Sequence, residues 1–193
     1  NLADLLTGQP HIELRKDIEK NHKHTFCDRC WVSELNGGES YRNMWNDIFK
    51  CGTKDKFQRE IKIEYVEFTL GNKCNIQCRM CNPWSSSMWA DEIYKNPQLD
   101  FWDTAPHLNK DRFEWYYTPQ FDKIFAEILP TLKHVNILGG EPLFNAKYYE
   151  ILQHIIDSGR SKDIVVQFNS NMLAVQSKVY DVWKQFKSIH INM

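Results

Sequence analysis

Cys74-Asn-Ile-Gln-Cys78-Arg-Met-Cys81 brings three thiols into eight residues, between a strand-like run and a helix-like one. Three thiolates on one loop cannot close a four-ligand zinc site by themselves. They can hold three irons of a 4Fe-4S cube and leave the fourth iron open to another molecule. A second pair, Cys27-Asp-Arg-Cys30, could be a zinc half-site, a redox pair or a chance pair. Cys51 stands alone and reads as an incidental thiol. Five of the six cysteines thus fall in two tight clusters, and no secretory pattern precedes them, so metal ligation is favoured over a disulfide framework.

Other residues in the chain have types that suit a site. His134-Val-Asn-Ile-Leu-Gly139-Gly140-Glu141-Pro142-Leu143 is an apolar run ending in two glycines, as in a buried strand whose end lets backbone approach something closely. Glu141 would suit a helix start, where the dipole favours a carboxylate. Asn169-Ser170-Asn171-Met172 has the residue types of a turn; alternatively Asn169 and Asn171 form a hydrogen-bonding wall. Arg79 is either a charge beside a cluster or a solvent-facing side chain. Trp84 and Trp89 are expected to pack the following helix.

The elements that must position these residues alternate. Tyr65 to Leu70 reads as a first strand, and Ser85-Ser86-Ser87 supplies N-cap candidates for a helix running to about Tyr94. Residues 96–119 form a polar, aromatic excursion whose Phe101, Trp102, Phe113, Trp115, Tyr116 and Tyr117 either meet substrate or pack on the core. Phe121, Ile124, Phe125, Ile128, Leu129 and Leu132 repeat at helical spacing, as do Tyr148, Ile151, Leu152 and Ile155. Ile164 to Phe168 is a third strand. A helix with Val179, Trp183 and Phe186 precedes a terminal strand from Ser188. Regular alternation of strand and helix implies parallel strands joined by crossovers.

Cys-x3-Cys-x2-Cys after the first strand, followed by Gly-Gly-Glu-Pro after the next, resembles the signature of radical S-adenosylmethionine enzymes. The resemblance implies the first half of a partial (β/α)6 TIM-like barrel, with sites at the carboxyl ends of the strands. It implies that Cys74, Cys78 and Cys81 hold a 4Fe-4S cluster whose open iron chelates S-adenosylmethionine. Gly139, Gly140 and Glu141 would receive its amino group, Asn169 and Asn171 would lie near its sulfonium or the substrate, and Met80, where relatives often have an aromatic residue, would pack on the adenine. Leu2 to Arg42, with Cys27, Cys30, Glu34, Gly37, Gly38, Ser40 and Arg42, resembles the tail of a SPASM or twitch auxiliary domain, which holds a further Fe-S cluster; zinc is the alternative at Cys27 and Cys30. The expected division is residues 1–60, the auxiliary tail, and residues 61–193, the start of the core domain. Both ends look cut, as in an internal fragment.

Composition fits a globular enzyme of this kind. Hydrophobic residues make up 42% of 193, enough for a sizeable core, and the net charge of −1 argues against a generic nucleic-acid surface. No apolar run is long enough to span a bilayer, which leaves the cytoplasm as the default location. The expected partners are S-adenosylmethionine, a peptide or small-molecule substrate, and an electron donor such as flavodoxin or ferredoxin. The competing reading is a zinc-binding interaction module built on Cys27, Cys30, Cys78 and Cys81. It leaves Cys74 and Gly-Gly-Glu-Pro unexplained.

Overall fold

The structure, a computed structural model, describes residues 7–20, 22–49, 62–101, 108 and 113–193. Cys51 and Trp102 lie outside the described residues. The chain forms two compact units, Asn1–Ile61 and Lys62–Met193.

The described part of the first unit is helical: α1 (Gln9–Glu19), α2 (Asp28–Leu35) and α3 (Tyr41–Phe49). Pro10 sits in the first turn of α1, where a missing N–H costs nothing. Neither α1 nor α2 contains a buried residue, so polar contacts contribute much of the order here. Glu34 accepts from the Ser40 hydroxyl and from both Nε and a terminal nitrogen of Arg42. The Arg42 guanidinium lies over the Trp31 ring, 4.2 Å from its centroid.

The second unit is built on four parallel strands, β1 (Tyr65–Leu70), β2 (His134–Gly139), β3 (Val165–Asn169) and β4 (Ser188–Asn192), in the order β1-β2-β3-β4. Each strand pairs with the next one in sequence, so the sheet winds in one direction and its carboxyl ends share an edge. The connections carry α4 (Ser87–Lys95), α5 (Pro119–Ile128), α6 (Ala146–Asp157) and α7 (Val179–Trp183). α5 starts after Thr118, whose side chain accepts from Phe121 N, with Pro119 in the first turn; α6 starts after Asn145, whose side chain accepts from Lys147 N.

Alternation along the strands separates two faces. The rows Val66–Val135–Val166–Ile189 and Phe68–Ile137–Phe168–Ile191 run across the sheet in register and make its apolar face. Phe68 packs edge-on against Phe121 and Phe125 of α5, and Phe168 packs against Tyr148 of α6 and Trp183 of α7. The helical repeats run further in sequence than the helices do. α5 ends at Ile128, just before Leu129 and Pro130, and Pro130 has no N–H with which to continue the helix, although Leu129 and Leu132 stay in the core. α7 ends at Trp183 in a tight turn closed by Phe186 N to Trp183 O, which leaves Phe186 buried outside the helix. No helix among the described residues is long and apolar enough to cross a membrane.

Candidate functional site

The site lies where β1, β2 and β3 end and their loops meet. The loop after β1 carries Cys74, Cys78 and Cys81, and its backbone is held from several sides. Trp89 of α4 donates its indole N–H to Cys78 O at 2.8 Å, an oxygen that also receives Cys81 N at 3.0 Å. Ser87 Oγ accepts from Cys74 N at 3.2 Å. Ser86 sits at the N-cap position of α4 without capping it; its fully buried hydroxyl donates to Ile76 O at 3.0 Å. Asn72 closes the base of the loop through its side-chain amide to Pro83 O at 2.8 Å. The serines expected as caps thus bind backbone groups of the cysteine loop. Trp89, expected only to pack, is a polar tether.

The glycine pair after β2 approaches this loop directly. Gly139 has φ +143°, a conformation that suits glycine, and a Cβ on it would lie 2.9 Å from Leu70 O. A Cβ on Gly140 would lie 2.3 Å from Lys73 O and 2.6 Å from Asn72 O. The next amide, Glu141 N, donates to Lys73 O at 2.9 Å. Glu141 itself is 1% exposed. Its carboxylate accepts from Leu143 N at 3.1 Å, Ser170 Oγ at 2.8 Å and Asn171 N at 2.8 Å, tying the loop after β2 to the loop after β3. One of these bonds is the expected helix-start contact, made to a single 3₁₀ turn at Pro142–Phe144. The other two have no signal in the sequence.

Asn169-Ser170-Asn171-Met172 is a turn and a connector at once. Ser170 Oγ accepts from Met172 N and Asn171 Oδ1 from Leu173 N, both at 2.9 Å, and Met172 has φ +58°. Asn171 Nδ2 then reaches across to Asn75 Oδ1, inside the cysteine loop, at 3.0 Å. Asn169 accepts from Asn192 of β4 at 2.9 Å and helps line a cavity of about 230 Å³ with Thr69, Trp84, Ser85 and Leu138. Three of the strand-end loops are therefore cross-bonded into one edge.

Met80 is 98% exposed, and Arg79 is exposed. In the aromatic excursion, Tyr116 is buried and its hydroxyl oxygen accepts from the Asn145 side-chain amide at 3.1 Å, Trp115 donates to Thr69 O at 3.1 Å, and Phe101 is exposed. Tyr116 thus favours core packing, while Trp115 lies against Phe68 and Phe121 and stays 39% exposed. Cys27 and Cys30 lie at the start of α2, one helical turn apart and partly exposed.

The cysteine triad suits a cluster in its chemistry. Burial first, then the nearness of Cys78 and Cys74, holds the Cys81 thiol above its ordinary value. Thiols that resist joint ionisation are stabilised as thiolates by a cationic metal centre. Among the described residues no three Cys, His, Asp or Glu side chains close around one ion. A 4Fe-4S cube makes a different demand, since it takes each thiolate on a separate iron.

No protein-family model and no solved structure matches the chain. Among curated proteins, it is 33% identical over 122 residues to a probable GTP 3′,8-cyclase of Methanocaldococcus jannaschii, a match covering 62% of this chain and 32% of that protein. It is 27% identical over 124 residues to the GTP 3′,8-cyclase of Aquifex aeolicus, covering 64% of this chain and 32% of that protein. The match thus spans about a third of the length of these relatives. GTP 3′,8-cyclases are radical S-adenosylmethionine enzymes with an iron-sulfur cluster, and the similarity supports that superfamily for this chain.

Proposed function

We propose that this chain is the cluster-bearing part of a radical S-adenosylmethionine enzyme. The observation that carries the reading is the edge described above, where one loop with three thiols is bonded to the loops after β2 and β3 by Glu141 N, the Glu141 carboxylate and Asn171. In this reading Cys74, Cys78 and Cys81 ligate a 4Fe-4S cluster, and the singly wound sheet is the first half of a partial (β/α)6 barrel. A reduced cluster held by these cysteines, together with S-adenosylmethionine, would supply a 5′-deoxyadenosyl radical for removing hydrogen from a peptide or other organic substrate.

The chain's own residues have the remaining tasks. Gly139 and Gly140 bring backbone close to the cofactor's amino-acid end, and the buried Glu141 fixes the shape of that approach. Asn171 keeps the third loop against the cysteine loop, and Asn169 presents polar atoms to the cavity. In this reading Met80, on the cysteine loop, would pack its thioether on the adenine of S-adenosylmethionine. The first unit is read as the tail of a SPASM or twitch domain, with Cys27 and Cys30 as ligands of an auxiliary Fe-S cluster completed by other residues of the whole protein. An electron donor such as flavodoxin or ferredoxin would reduce the cluster.

The test is anaerobic iron and sulfide reconstitution of the full-length protein, read by electron paramagnetic resonance of the reduced state with and without S-adenosylmethionine. A cubane signal that S-adenosylmethionine perturbs, and that Cys78→Ala abolishes, is the expected result. A colourless protein carrying only zinc would favour the interaction-module reading instead.

A further inference from the structure

The face of the sheet opposite the helices is polar across all four strands. It carries the registered rows Tyr65–His134–Val165–Ser188 and Glu67–Asn136–Gln167–His190, and Thr69, Leu138, Asn169 and Asn192 continue it to the strand ends. Neither row contains a lysine or an arginine. Nor does the cavity of about 230 Å³ at the strand-end edge of this face, whose lining has no charged side chain at all. The lysine of the cysteine loop, Lys73, lines a different cavity beside α4, and its ammonium lies over Phe144.

Glu67 is the one carboxylate in these rows, among amides, hydroxyls and imidazoles that can both donate and accept. The Glu67 Oε2 oxygen takes the Asn136 amide at 2.9 Å and the Tyr65 hydroxyl at 3.2 Å, while Oε1 takes neither. The Asn136 carbonyl oxygen is buried and has no hydrogen-bond partner among the described residues. An orphaned buried acceptor is costly, by about 1–3 kcal/mol, until a donor reaches it. His134 meets Gln167 at 3.1 Å, and burial holds its imidazole below the ordinary value.

From the single carboxylate of this face, the unpartnered Asn136 carbonyl oxygen and the lack of lysine and arginine among its described residues and cavity lining, we propose that the substrate is an amine- or amide-bearing molecule, neutral or positively charged, that binds here through its N–H groups with Glu67 as the principal acceptor. A nucleoside triphosphate is the wrong chemistry for the surface. Polyphosphates are held by forked arginines, lysines or metal-backed loops, and Glu67 would repel them. The inference rests on the radical-enzyme reading for the claim that substrate enters at this edge.

Calorimetry on the reconstituted full-length protein tests it with three probes: lysinamide, GTP and inorganic tripolyphosphate. Lysinamide is expected to bind saturably and about tenfold more weakly to Glu67→Gln, the loss of one charge-assisted hydrogen bond. Glu67→Asp, which keeps the charge, is expected to retain most of the binding. GTP or tripolyphosphate binding that lysinamide displaces would overturn the inference, as would lysinamide binding that Glu67→Gln leaves unchanged. If Glu67→Gln does not fold, the wild-type comparison of lysinamide with tripolyphosphate decides alone. The S-adenosylmethionine-dependent change in the cluster signal reports the radical-enzyme reading separately. Its loss would overturn that reading, whereas displaceable GTP binding with the signal intact would overturn only the substrate class.

Discussion

The two cysteine clusters sit in differently built surroundings. Around Cys74, Cys78 and Cys81 the tethers go to the ligand loop itself: Trp89 to Cys78 O, Ser87 to Cys74 N, Ser86 to Ile76 O and Glu141 N to Lys73 O. Around Cys27 and Cys30 the polar network holds Glu34, Ser40, Arg42 and the Trp31 ring, downstream of both thiols. The first arrangement fixes a loop before any metal arrives. The second fixes the later part of the helix that Cys27 and Cys30 begin, and leaves their own backbone to its first turn. A ligand set complete on one loop repays such preorganisation; two thiols that need ligands from elsewhere do not specify a geometry alone.

The sharpest way to break the preorganised region is Gly140→Ala. The added carbon would meet two backbone oxygens of the cysteine loop, Lys73 O and Asn72 O, which cannot turn aside as a flexible side chain would. We expect a loss of about 3 kcal/mol in urea unfolding, together with failure to take up a full complement of iron. Normal iron content in this variant would show that the loop is soft. Glu141→Gln is expected to be next in size. An amide replaces one carboxylate oxygen by a donor, so Leu143 N, Ser170 Oγ or Asn171 N loses its acceptor, at about 2 kcal/mol. Faster hydrogen exchange at the Asn171 amide would localise the effect.

Much of the second unit was legible because its signals are local. The strand of Tyr65 to Leu70 and the stripe of Tyr148, Ile151, Leu152 and Ile155 follow from periodicity alone, and the structure has both. The cysteine and Gly-Gly-Glu-Pro motifs were legible as chemistry, and parallel strands ending on one edge explain why they meet. The tethers were not legible. Asn171 and Asn75 are far apart in sequence and meet only because β1 and β3 flank β2. Ser86 and Trp89 look like an ordinary cap and an ordinary packing residue, since nothing in the sequence reveals which carbonyls the fold leaves unpaired. In the first unit the pattern from Glu34 to Arg42 was visible as a family likeness, while its physical content, an ion pair roofed by a tryptophan, needed the structure.

Trp89→Phe asks whether a single tether matters once the others remain. The ring keeps its place in α4 and only the N–H to Cys78 O is lost, worth about 1 kcal/mol. The cluster should still assemble, and iron release to a chelator should quicken about fivefold, the factor that this energy implies. An unchanged release rate would mean that the bond from Cys81 N to the same oxygen suffices.

The smallest expected effect belongs to the first unit. Hydrogen bonds from Arg42 and then Ser40 hold the Glu34 carboxyl below its ordinary value of 4.5. Because the folded value is depressed, the stabilisation is fully present above the ordinary value and is lost as pH falls through the folded one. The Trp31 indole resonance, which senses the guanidinium above it, should therefore move only below about pH 4.5 in the wild-type protein. Arg42→Lys keeps the charge and gives up the forked donor and its planar stacking, so the midpoint should rise toward 4.5. A wild-type midpoint already at 4.5 would mean that the network does not favour the charged carboxylate, and the first unit's order would then have to come from its helices alone.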